Sequence, residues 1–487
     1  MVIQKRPFFR YNALMSAITQ EELQTAVHAA LVQWGKPLDN EPAPLAQLLL
    51  VQNQLAADEG ERPFGLKYAV DRGLLEAVER LAEQDATAAA VLQGRFLDGK
   101  ITRQVAQEMH ASIDQVNRWQ RAAIETLTQL LYQQEYKLRA ELIHQLEASL
   151  PPAPYSQFFG FAETKQTIMA QLVQTSAPWI VVLTGIGGIG KTSLADAVVR
   201  EVLPSLAYKQ LCWLRVESQQ FSGEPFPPER AYQALLSALA AALWPNSIPG
   251  DSAAYLETRL GQKLRADPHL IVIDNLETTA HVDYFARKLL AFTEPTRFLL
   301  TSRARPSGET AVYIQPLHEL PFTDAEALLR HHAQVIGLME LAEADMDTLL
   351  AIYQVTGGNP LALKLVVSLT AVLPLPQILT DLNENRVGPI ENLYRHIYWE
   401  AWRTLTPPAQ TLLQAMPLAA SSGASPEQMQ AFSGLNADDF WAAVRELTAR
   451  SLLEVQGTLQ ERRYGIHRLT DTFLQTEIIG WPDLLDA

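Results

Sequence analysis

A glycine-rich loop is the first segment of this chain whose residue types and spacing can do chemistry. Residues 185–192 read Gly-Ile-Gly-Gly-Ile-Gly-Lys-Thr, which fits the Gly-x4-Gly-Lys-[Ser/Thr] pattern of phosphate-binding loops. Glycines let the backbone curl around phosphates so that several N–H groups point inward. Lys191 is expected to reach the β- and γ-phosphates of a nucleotide, and Thr192 to hold Mg²⁺. The predicted cofactor-binding residues of this loop are Gly185, Gly187, Gly188, Gly190, Lys191, Thr192 and Ser193.

The segments on both sides of the loop favour this prediction over an ordinary glycine-rich turn. The apolar run Trp179–Leu183 precedes the loop and predicts a strand, and Ser193–Val202 follows it with a helical pattern. A strand, a loop and a helix in this order direct the positive end of the helix at a bound anion.

Two later strand ends carry side chains suited to the same site. The run Leu270–Asp274 is four apolar residues followed by a carboxylate, and Arg297–Arg303 is an apolar strand that ends in Thr-Ser-Arg. In a parallel sheet both ends lie beside the loop, at the edge where ligands bind. Asp274 is predicted to coordinate Mg²⁺ through water. Arg303 is predicted to contact a γ-phosphate, with an ion-paired surface arginine as the alternative, and the predicted catalytic residues are Lys191, Asp274 and Arg303.

The residues after Asp274 predict slow hydrolysis. Asn275 carries an amide, which cannot accept a proton from water. Glu277 is the nearest spare carboxylate, and two interpretations stay open: it polarises the attacking water, or it is a solvated loop residue.

The elements that must position these groups form a parallel sheet. Four apolar runs alternate with helical segments, which indicates strands covered on both faces; they are Trp179–Leu183, Leu211–Arg215, Leu270–Ile273 and Phe298–Thr301. We predict a multidomain α/β plus α protein. The predicted parts are an N-terminal helical segment at 1–68, a helix-turn-helix domain at 69–148, a proline-rich linker at 149–154, a phosphate-loop nucleotide domain at 155–310, a helical domain at 311–385 and a winged-helix domain at 386–487.

Composition agrees with a folded chain in a reducing compartment. At 487 residues the chain predicts about three domains. Hydrophobic residues make up 48%, which excludes a mainly disordered chain, and the formal net charge is −15. The single cysteine, Cys212, cannot form an internal disulfide, so we expect a cytoplasmic protein. The longest apolar stretch, Ala362–Leu379, is interrupted by Lys364 and two prolines, which predicts a buried helix and no membrane contact.

The motif order resembles the NB-ARC class of STAND nucleotidases across residues 155–475. After the three elements above, the chain reads Gly357-Gly-Asn-Pro360-Leu-Ala-Leu363, and near its end Tyr464-Gly-Ile-His467-Arg-Leu469. The class includes plant disease-resistance proteins, the apoptosome scaffold and bacterial regulators. The resemblance implies ATP and ADP as ligands, with Pro360 packing on adenine and His467, on a winged helix, touching the β-phosphate of ADP. A packed or surface histidine is the alternative, and Arg468 replaces the aspartate of that family motif.

An upstream motif departs from the family pattern. The residues Phe158-Phe159-Gly160-Phe161 stand where the family usually has two apolar residues, glycine and arginine. Phe161 cannot donate a hydrogen bond to a nucleotide, but its ring can stack near a base.

Residues 101–131 show a helix-turn-helix pattern. A helix is predicted from Ile101 to His110, and Ser112-Ile-Asp-Gln115 has capping-box spacing that opens a second helix. The pattern resembles region four of bacterial sigma factors. That resemblance places four polar residues near a DNA major groove: Gln115, Asn117, Arg118 and Arg121. Residues 91–140 hold 7 Lys and Arg against 5 Asp and Glu, a small excess for a DNA-binding monomer, so contact with DNA and contact with protein both stay open.

These patterns together predict a switch driven by ATP and ADP. The chain would hydrolyse ATP slowly, self-associate in its ATP form and recruit a partner through its N-terminal helices, in signal transduction such as bacterial defence or programmed cell death. Because the sequence shows no repeat domain after His467 and no effector motif, a separate sensor or effector protein is expected. The alternative is a nucleotide-gated transcription regulator. A metabolic ATPase or kinase ranks below both, because Asn275 follows Asp274.

Overall fold

The structure is a computed structural model that describes most of the chain. The described residues are 19–36, 43–57, 65–216, 227–244, 253–276, 278–306, 311–384, 395, 398–399, 401–419, 423–450, 452–457, 461–466 and 468–479. The chain divides into two compact units: unit 1 is residues 1–147 with 204–206, and unit 2 is residues 148–203 with 207–487.

Unit 1 is helical. Its α-helices are α1 (Gln20–Val32), α2 (Ala43–Ala46), α3 (Leu49–Ala57), α4 (Leu66–Gln84), α5 (Ala86–Leu92), α6 (Thr102–Glu108) and α7 (Ile113–Ala148), with a π-helical turn at Gln93–Leu97. One hydrophobic core joins Leu23 and Val27 of α1 to Leu81 of α4 and Leu127 of α7. The predicted division at residue 68 does not separate two cores, because apolar faces on both sides of it pack together.

The predicted helix-turn-helix segment folds as two helices joined by a four-residue turn. Helix α6 ends at Glu108 and α7 begins at Ile113, while His110 in the turn has a left-handed φ of 51°. The Ser112 hydroxyl accepts a hydrogen bond from the backbone N–H of Gln115 at 3.1 Å, which caps α7. A small core of Val91, Val105, Ala106 and Val116 holds the segment together. Helix α7 runs for 36 residues, well beyond the predicted segment.

Unit 2 is built on a five-stranded parallel sheet of order β2-β3-β4-β1-β5. The strands are β1 (Ile180–Thr184), β2 (Gln210–Arg215), β3 (His269–Leu276), β4 (Arg297–Ser302) and β5 (Val312–Pro316). Every residue of β1 and β4 is buried, as expected for strands with helices on both faces. The helices of this part are α8 (Ala162–Val173), α9 (Lys191–Val202), α10 (Pro228–Leu243), α11 (Ala253–Ala266) and α12 (Thr279–Leu289), with 3-10 turns at Leu203–Ser205 and Leu290–Phe292.

Strand β5 corrects the predicted domain boundary at 310. Residues 311–385 were expected to be mostly helical, but Val312–Pro316 pairs in parallel with β1. The strand is an edge strand whose residues are half-buried or exposed, so its sequence lacks the continuous apolar run that identified the other four.

The rest of unit 2 packs around a second core. Its helices are α13 (Phe322–Val335), α14 (Met339–Ala342), α15 (Met346–Thr356), α16 (Pro360–Leu369), α17 (Leu375–Glu384), α18 (Pro407–Ala415), α19 (Pro426–Ser433), α20 (Ala437–Ala449) and α21 (Arg468–Phe473), with a 3-10 turn at Met416–Leu418 and a π-helical segment at Leu474–Ile479. An antiparallel hairpin, β6 (Glu454–Gly457) and β7 (Arg462–Gly465), follows α20, and Ala424 bridges to Tyr464. One core runs from Leu320 to Leu474, across the predicted boundary at 385. No helix in the described part of the chain has the length and hydropathy that crossing a bilayer requires.

A buried ion pair fastens α7 to α3 in unit 1. Glu135 accepts hydrogen bonds from the backbone N–H groups of Leu49 at 3.0 Å and Leu50 at 3.2 Å, at the start of α3. Arg139, one turn later on α7, donates from Nε to the same carboxylate at 2.6 Å. The Glu135 side chain is fully buried, so these partners replace the hydrogen bonds that water would otherwise donate to it.

Glu135→Gln is expected to destabilise unit 1 by about 2 kcal/mol, because hydrogen bonds to a buried charge are lost and Arg139 loses this carboxylate as a partner. Chemical denaturation of the full chain, followed by circular dichroism, measures the effect. Glu141→Gln on the exposed face of α7 is the matched control and should leave the transition unchanged. Equal transitions for the two variants would contradict this role of Glu135.

Candidate phosphate-binding site

The glycine-rich loop lies between the end of β1 at Thr184 and the start of α9 at Lys191. Gly188 and Gly190 have φ angles of 72° and 99°, in the left-handed region that glycine adopts at little cost. A Cβ atom added to Gly188 would lie 2.8 Å from the Cβ of Leu361, so the loop also needs the missing side chain.

Lys191 extends across the mouth of the loop. Its Nζ donates hydrogen bonds to the carbonyl oxygens of Gly185 and Ile186, both at 2.8 Å. The ammonium group is therefore held at the N-terminus of α9, where its charge adds to the positive end of the helix dipole.

A hydroxyl–carboxylate network joins the start of α9 to the ends of β3 and β4 beside the loop. Asp274 is 4% exposed, and its Oδ1 accepts hydrogen bonds from the hydroxyls of Thr192 at 2.9 Å and Thr301 at 2.5 Å. The Thr301 hydroxyl in turn accepts from the backbone N–H of Asn275 at 2.8 Å. A threonine hydroxyl next to a carboxylate fits Mg²⁺, which binds proteins through few oxygen ligands and keeps phosphate and water for the rest. Thr192 and Asp274 are the residues that would hold it.

A bulge in β3 orients Asp274. The pairing of β3 with β4 shifts register between Ile273 and Leu276, and Asn275 has a left-handed φ of 79°. The side-chain amide of Asn275 donates to the carbonyl oxygen of Val216 at 3.1 Å. The amide therefore ties the end of β3 to the end of β2. Glu277 lies outside the described residues.

Helix α16 docks its N-terminus on the loop through Asn359, which is fully buried. Its amide nitrogen donates to the carbonyl oxygen of Gly187 at 3.2 Å. Its amide oxygen caps α16 by accepting from the N–H groups of Leu361 at 3.0 Å and Ala362 at 3.4 Å. The Leu361 N–H also approaches the carbonyl oxygen of Gly188 at 3.3 Å. One buried amide thus links the helical core to the loop.

A cavity of about 340 Å³ lies over these groups. Its described lining contains four cationic side chains, those of Lys191, Arg215, Arg303 and Lys364, and the carboxylate of Asp274. An excess of positive charge at the positive end of a helix favours a polyanion.

The structure brings most of the predicted residues together. The predicted residues that line the cavity are Gly187, Gly188, Gly190, Lys191, Thr192, Ser193, Asp274, Arg303 and Pro360. Gly185 lies at the start of the loop, where its N–H donates to the carbonyl oxygen of Ser302 at 3.3 Å. His467 lies outside the described residues, although Ile466 beside it lines the cavity. The roles assigned to these residues stay predictions.

The residues of the site that the sequence did not identify include Arg215, His332, Asn359 and Lys364. Arg215 had a usable signal, because it ends an apolar run as Asp274 does and pairs with Asp274 in the sheet register. The other three lie on helices or helix caps, where no local pattern marks residues that face a ligand.

His332 is held in its neutral form at the cavity wall. Burial, with a smaller contribution from the charge of Lys364, lowers the pKa of His332 to about 4. Its Nε2 lies 3.3 Å from the Ser368 hydroxyl on α16. The positive charge of this wall at pH 7 therefore comes from Lys364.

Phe161 packs beside the last glycine of the loop. It caps α8 with a left-handed φ of 58°, and its ring would lie 3.7 Å from a Cβ added to Gly190. Contact of this ring with a base stays a prediction.

Gly188→Ala is expected to lower the unfolding midpoint by an amount equivalent to about 1–3 kcal/mol more than Gly434→Ala does. Both positions have a left-handed φ, near 70°, but only Gly188 has neighbours within contact of the added Cβ. Thermal unfolding of the two variants separates steric overlap from backbone strain. Equal unfolding midpoints for the two variants would show that the added methyl group at residue 188 does not overlap with Leu361 of α16.

The model of the NB-ARC domain matches residues 161–328. This range holds the loop and all five strands of the sheet, and it ends within α13. No curated protein matches the chain.

Several solved structures resemble the chain weakly. A STAND protein with a tetratricopeptide repeat sensor from Pyrococcus horikoshii is 19% identical, at a TM-score of 0.41, and the match covers 66% of this chain and 43% of that one. The ORC2 protein of Aeropyrum pernix, in complexes with ADPNP and ADP, is 12% identical, at a TM-score of 0.31, with 66% and 97% covered. A RuvB mutant from Thermotoga maritima is 13% identical, at a TM-score of 0.29, with 64% and 95% covered.

This chain thus spans less than half the length of the STAND protein that it resembles. The domain match agrees with the loop and the strand ends described above, which lie within the matched residues. Residues 161–328 of this chain are thus similar to the NB-ARC domain.

Proposed function

We propose that this chain is a switch whose conformation depends on whether ATP or ADP occupies the cavity. The observation that carries the proposal is the docking of α16 on the phosphate loop through Asn359, directly beside Lys191 and Thr192. A nucleotide in this cavity would touch the sheet edge and the helical core together, so its binding energy depends on how the two are arranged.

The residues of the loop have separate tasks in this proposal. Lys191 exchanges its bonds to two loop carbonyls for bonds to the β- and γ-phosphates. Thr192 and Asp274 would hold Mg²⁺, which would supply charge that neutralises the phosphates. Pro360, at the start of α16, forms the adenine contact that the family resemblance implies.

Two arginines at strand ends would distinguish ATP from ADP. Arg303 follows β4 and Arg215 ends β2, on either side of Asp274 at the end of β3. A third phosphate adds negative charge that these guanidinium groups can bind in a bidentate way. Moving the chain from mostly closed to mostly open takes about 5.5 kcal/mol of differential binding. Charge interactions of a γ-phosphate and its Mg²⁺ with two arginines are of the kind that can supply this differential binding free energy.

Hydrolysis should be slow because the residue that follows Asp274 on β3 cannot act as a general base. Asn275 occupies the position after Asp274, and its amide is engaged with the carbonyl oxygen of Val216. We expect a turnover well below about 1 s⁻¹, the low end of ordinary enzymes. A faster steady-state rate would favour a metabolic ATPase instead.

The C-terminal elements would sense the same nucleotide. Thr448, Leu453 and Ile466 line the cavity from α20 and the hairpin region. Helices α18, α19 and α20 followed by the β6–β7 hairpin are the elements that a winged helix needs, and the family resemblance assigns them that role. Closure over ADP would involve His467 in this proposal, and opening with ATP would allow self-association.

Unit 1 is the proposed site of partner recruitment. In the ATP form its helices would cluster and bind a separate sensor or effector protein, in a signalling pathway such as defence or programmed cell death. Clustering raises the effective concentration of weak contacts, so a modest partner surface on each copy suffices.

Mass photometry of the purified full chain tests the switch. With ATP and Mg²⁺ we expect growth from a monomer to a defined oligomer, and with ADP a monomer. Lys191→Ala should abolish the growth because the phosphates lose their principal cation. A monomer in all conditions, without nucleotide released on denaturation, would contradict the proposal.

In the same experiment, Arg303→Gln tests whether contact with the γ-phosphate drives assembly. It should keep ADP binding and lose the ATP-dependent growth, since only the γ-phosphate contact is removed. Arg462→Gln, an exposed residue of β7, removes the same charge elsewhere and should assemble as the wild type does.

A DNA-binding role for unit 1 is the second candidate, and the short turn before α7 favours it. Arg118 and Arg121 are exposed in the first turns of α7, where a recognition helix contacts base edges. In this case fluorescence anisotropy should show salt-sensitive binding to a specific duplex. Arg118→Gln should reduce the salt slope by about 1, while Arg80→Gln on α4 should not. No binding at low salt, with or without ATP, would eliminate this candidate.

A further inference from the structure

The residues that follow α7 dock on the helix of the phosphate loop. Arg200 on α9 donates from Nη2 to the carbonyl oxygen of Pro151 at 2.7 Å and from Nε to Oδ2 of Asp196 at 2.8 Å. The Tyr155 hydroxyl donates to the same Oδ2 at 2.7 Å. We call these four residues, Pro151, Tyr155, Asp196 and Arg200, the linker latch.

The carboxylate at the centre of the latch depends strongly on its two donors. Asp196 is 1% exposed, and its second oxygen, Oδ1, is buried without a hydrogen-bond partner among the described residues. Because one oxygen of this buried carboxylate has no hydrogen bond from the described residues, the bonds on Oδ2 matter more than surface bonds do. Burial raises the pKa of Tyr155, with a smaller contribution from its bond to Asp196, which keeps its hydroxyl protonated as a donor.

The latch is continuous with the wall of the phosphate cavity. Asp196 lies one turn after Thr192 on α9, the helix that Lys191 begins. Pro154, the residue directly before Tyr155, lines the cavity together with these loop residues. Residues 151–155 therefore belong to the latch at both ends, through Pro151 and Tyr155. Between these ends, Pro154 lines the cavity.

We propose that Tyr155, Asp196 and Arg200 are positioning residues for the nucleotide: they hold Pro154 as a wall of the cavity. Binding linkage is reciprocal, so a nucleotide against Pro154 in turn holds residues 151–155 on α9. Because this segment continues directly from α7, nucleotide occupancy sets whether the chain leaving unit 1 is docked or released. The inference rests on the proposed nucleotide site and adds the residues that report its occupancy.

Tyr155→Phe in the full chain tests the inference with little other change. The variant removes the donated hydrogen bond and keeps both the aromatic ring and a site for chymotrypsin, which cleaves after aromatic residues. Two quantities are measured: the Kd for ADP and ATP with Mg²⁺, and the chymotryptic cleavage rate at residues 155 and 158, mapped by mass spectrometry. In the wild type, nucleotide should slow this cleavage at least fivefold. In the variant the protection should be lost and nucleotide binding should weaken about fivefold, the low end of coupling between linked sites.

Tyr255→Phe is the matched control, because Tyr255 is an exposed tyrosine on α11, a helix that contributes no residue to the linker latch. It should bind nucleotide and protect the linker as the wild type does. If Tyr155→Phe fails to fold, Pro154→Ala provides the same test. It leaves the latch bonds in place, removes part of the cavity wall and should also reduce the nucleotide-dependent protection.

The outcomes separate this inference from the proposed function. A wild-type chain that binds neither nucleotide overturns the proposed function, and the inference falls with it. A wild type that binds while Tyr155→Phe keeps the same Kd and the same protection overturns the inference alone. A variant that only unfolds at lower temperature, with the nucleotide-dependent ratio of cleavage rates unchanged, shows a purely structural latch and also overturns it.

Discussion

The close approach of the phosphate loop to α16 is the contact on which the rest of unit 2 depends. A loop after the first strand and a helix more than 170 residues later meet backbone to backbone, because Gly188 has no side chain and Leu361 occupies the space. Asn359 then uses its amide nitrogen on the loop and its amide oxygen on the helix. A buried amide that satisfies both partners in this way specifies one arrangement and penalises others. The sheet edge and the helical core are thereby made a single surface.

The charge on that surface is organised by the strand ends. The carboxyl ends of β1, β4, β3 and β2 follow one another along the sheet and present, in this order, the loop, Arg303, Asp274 and Arg215. Asp274 is held by hydroxyls from two neighbouring elements, so the proposed binding of a cation and a polyphosphate would need little reorganisation. Fixed protein groups stabilise a charge better than water does, because they are already oriented before the charge arrives.

The loop and its strand ends could be predicted because their signals are local. Glycine spacing, an apolar run and a terminal carboxylate or arginine are each visible within about ten residues. Strand β5 was missed because an edge strand needs no continuous apolar run, and the division at residue 68 was placed where helix-forming residues continue on both sides. Asn359 could not be assigned because the loop carbonyl that it contacts is distant in sequence, and a helix cap looks the same whether or not it meets a loop. Lys364 lies within a helix, where no local pattern marks a residue that faces the cavity. Arg215 could have been found by applying the strand-end argument to β2.

The bulge at Asn275 limits how this site could evolve toward faster hydrolysis. A carboxylate at this position would have to tolerate a left-handed backbone, which aspartate does far better than glutamate. It would also give up the amide donor that fastens β3 to the end of β2 at Val216, and two acceptors would then face each other. Gain of a catalytic base would thus come at the expense of the sheet edge that carries Arg215. In the proposed switch, the structure of the sheet edge, and not only a missing residue, would stand between this site and rapid turnover.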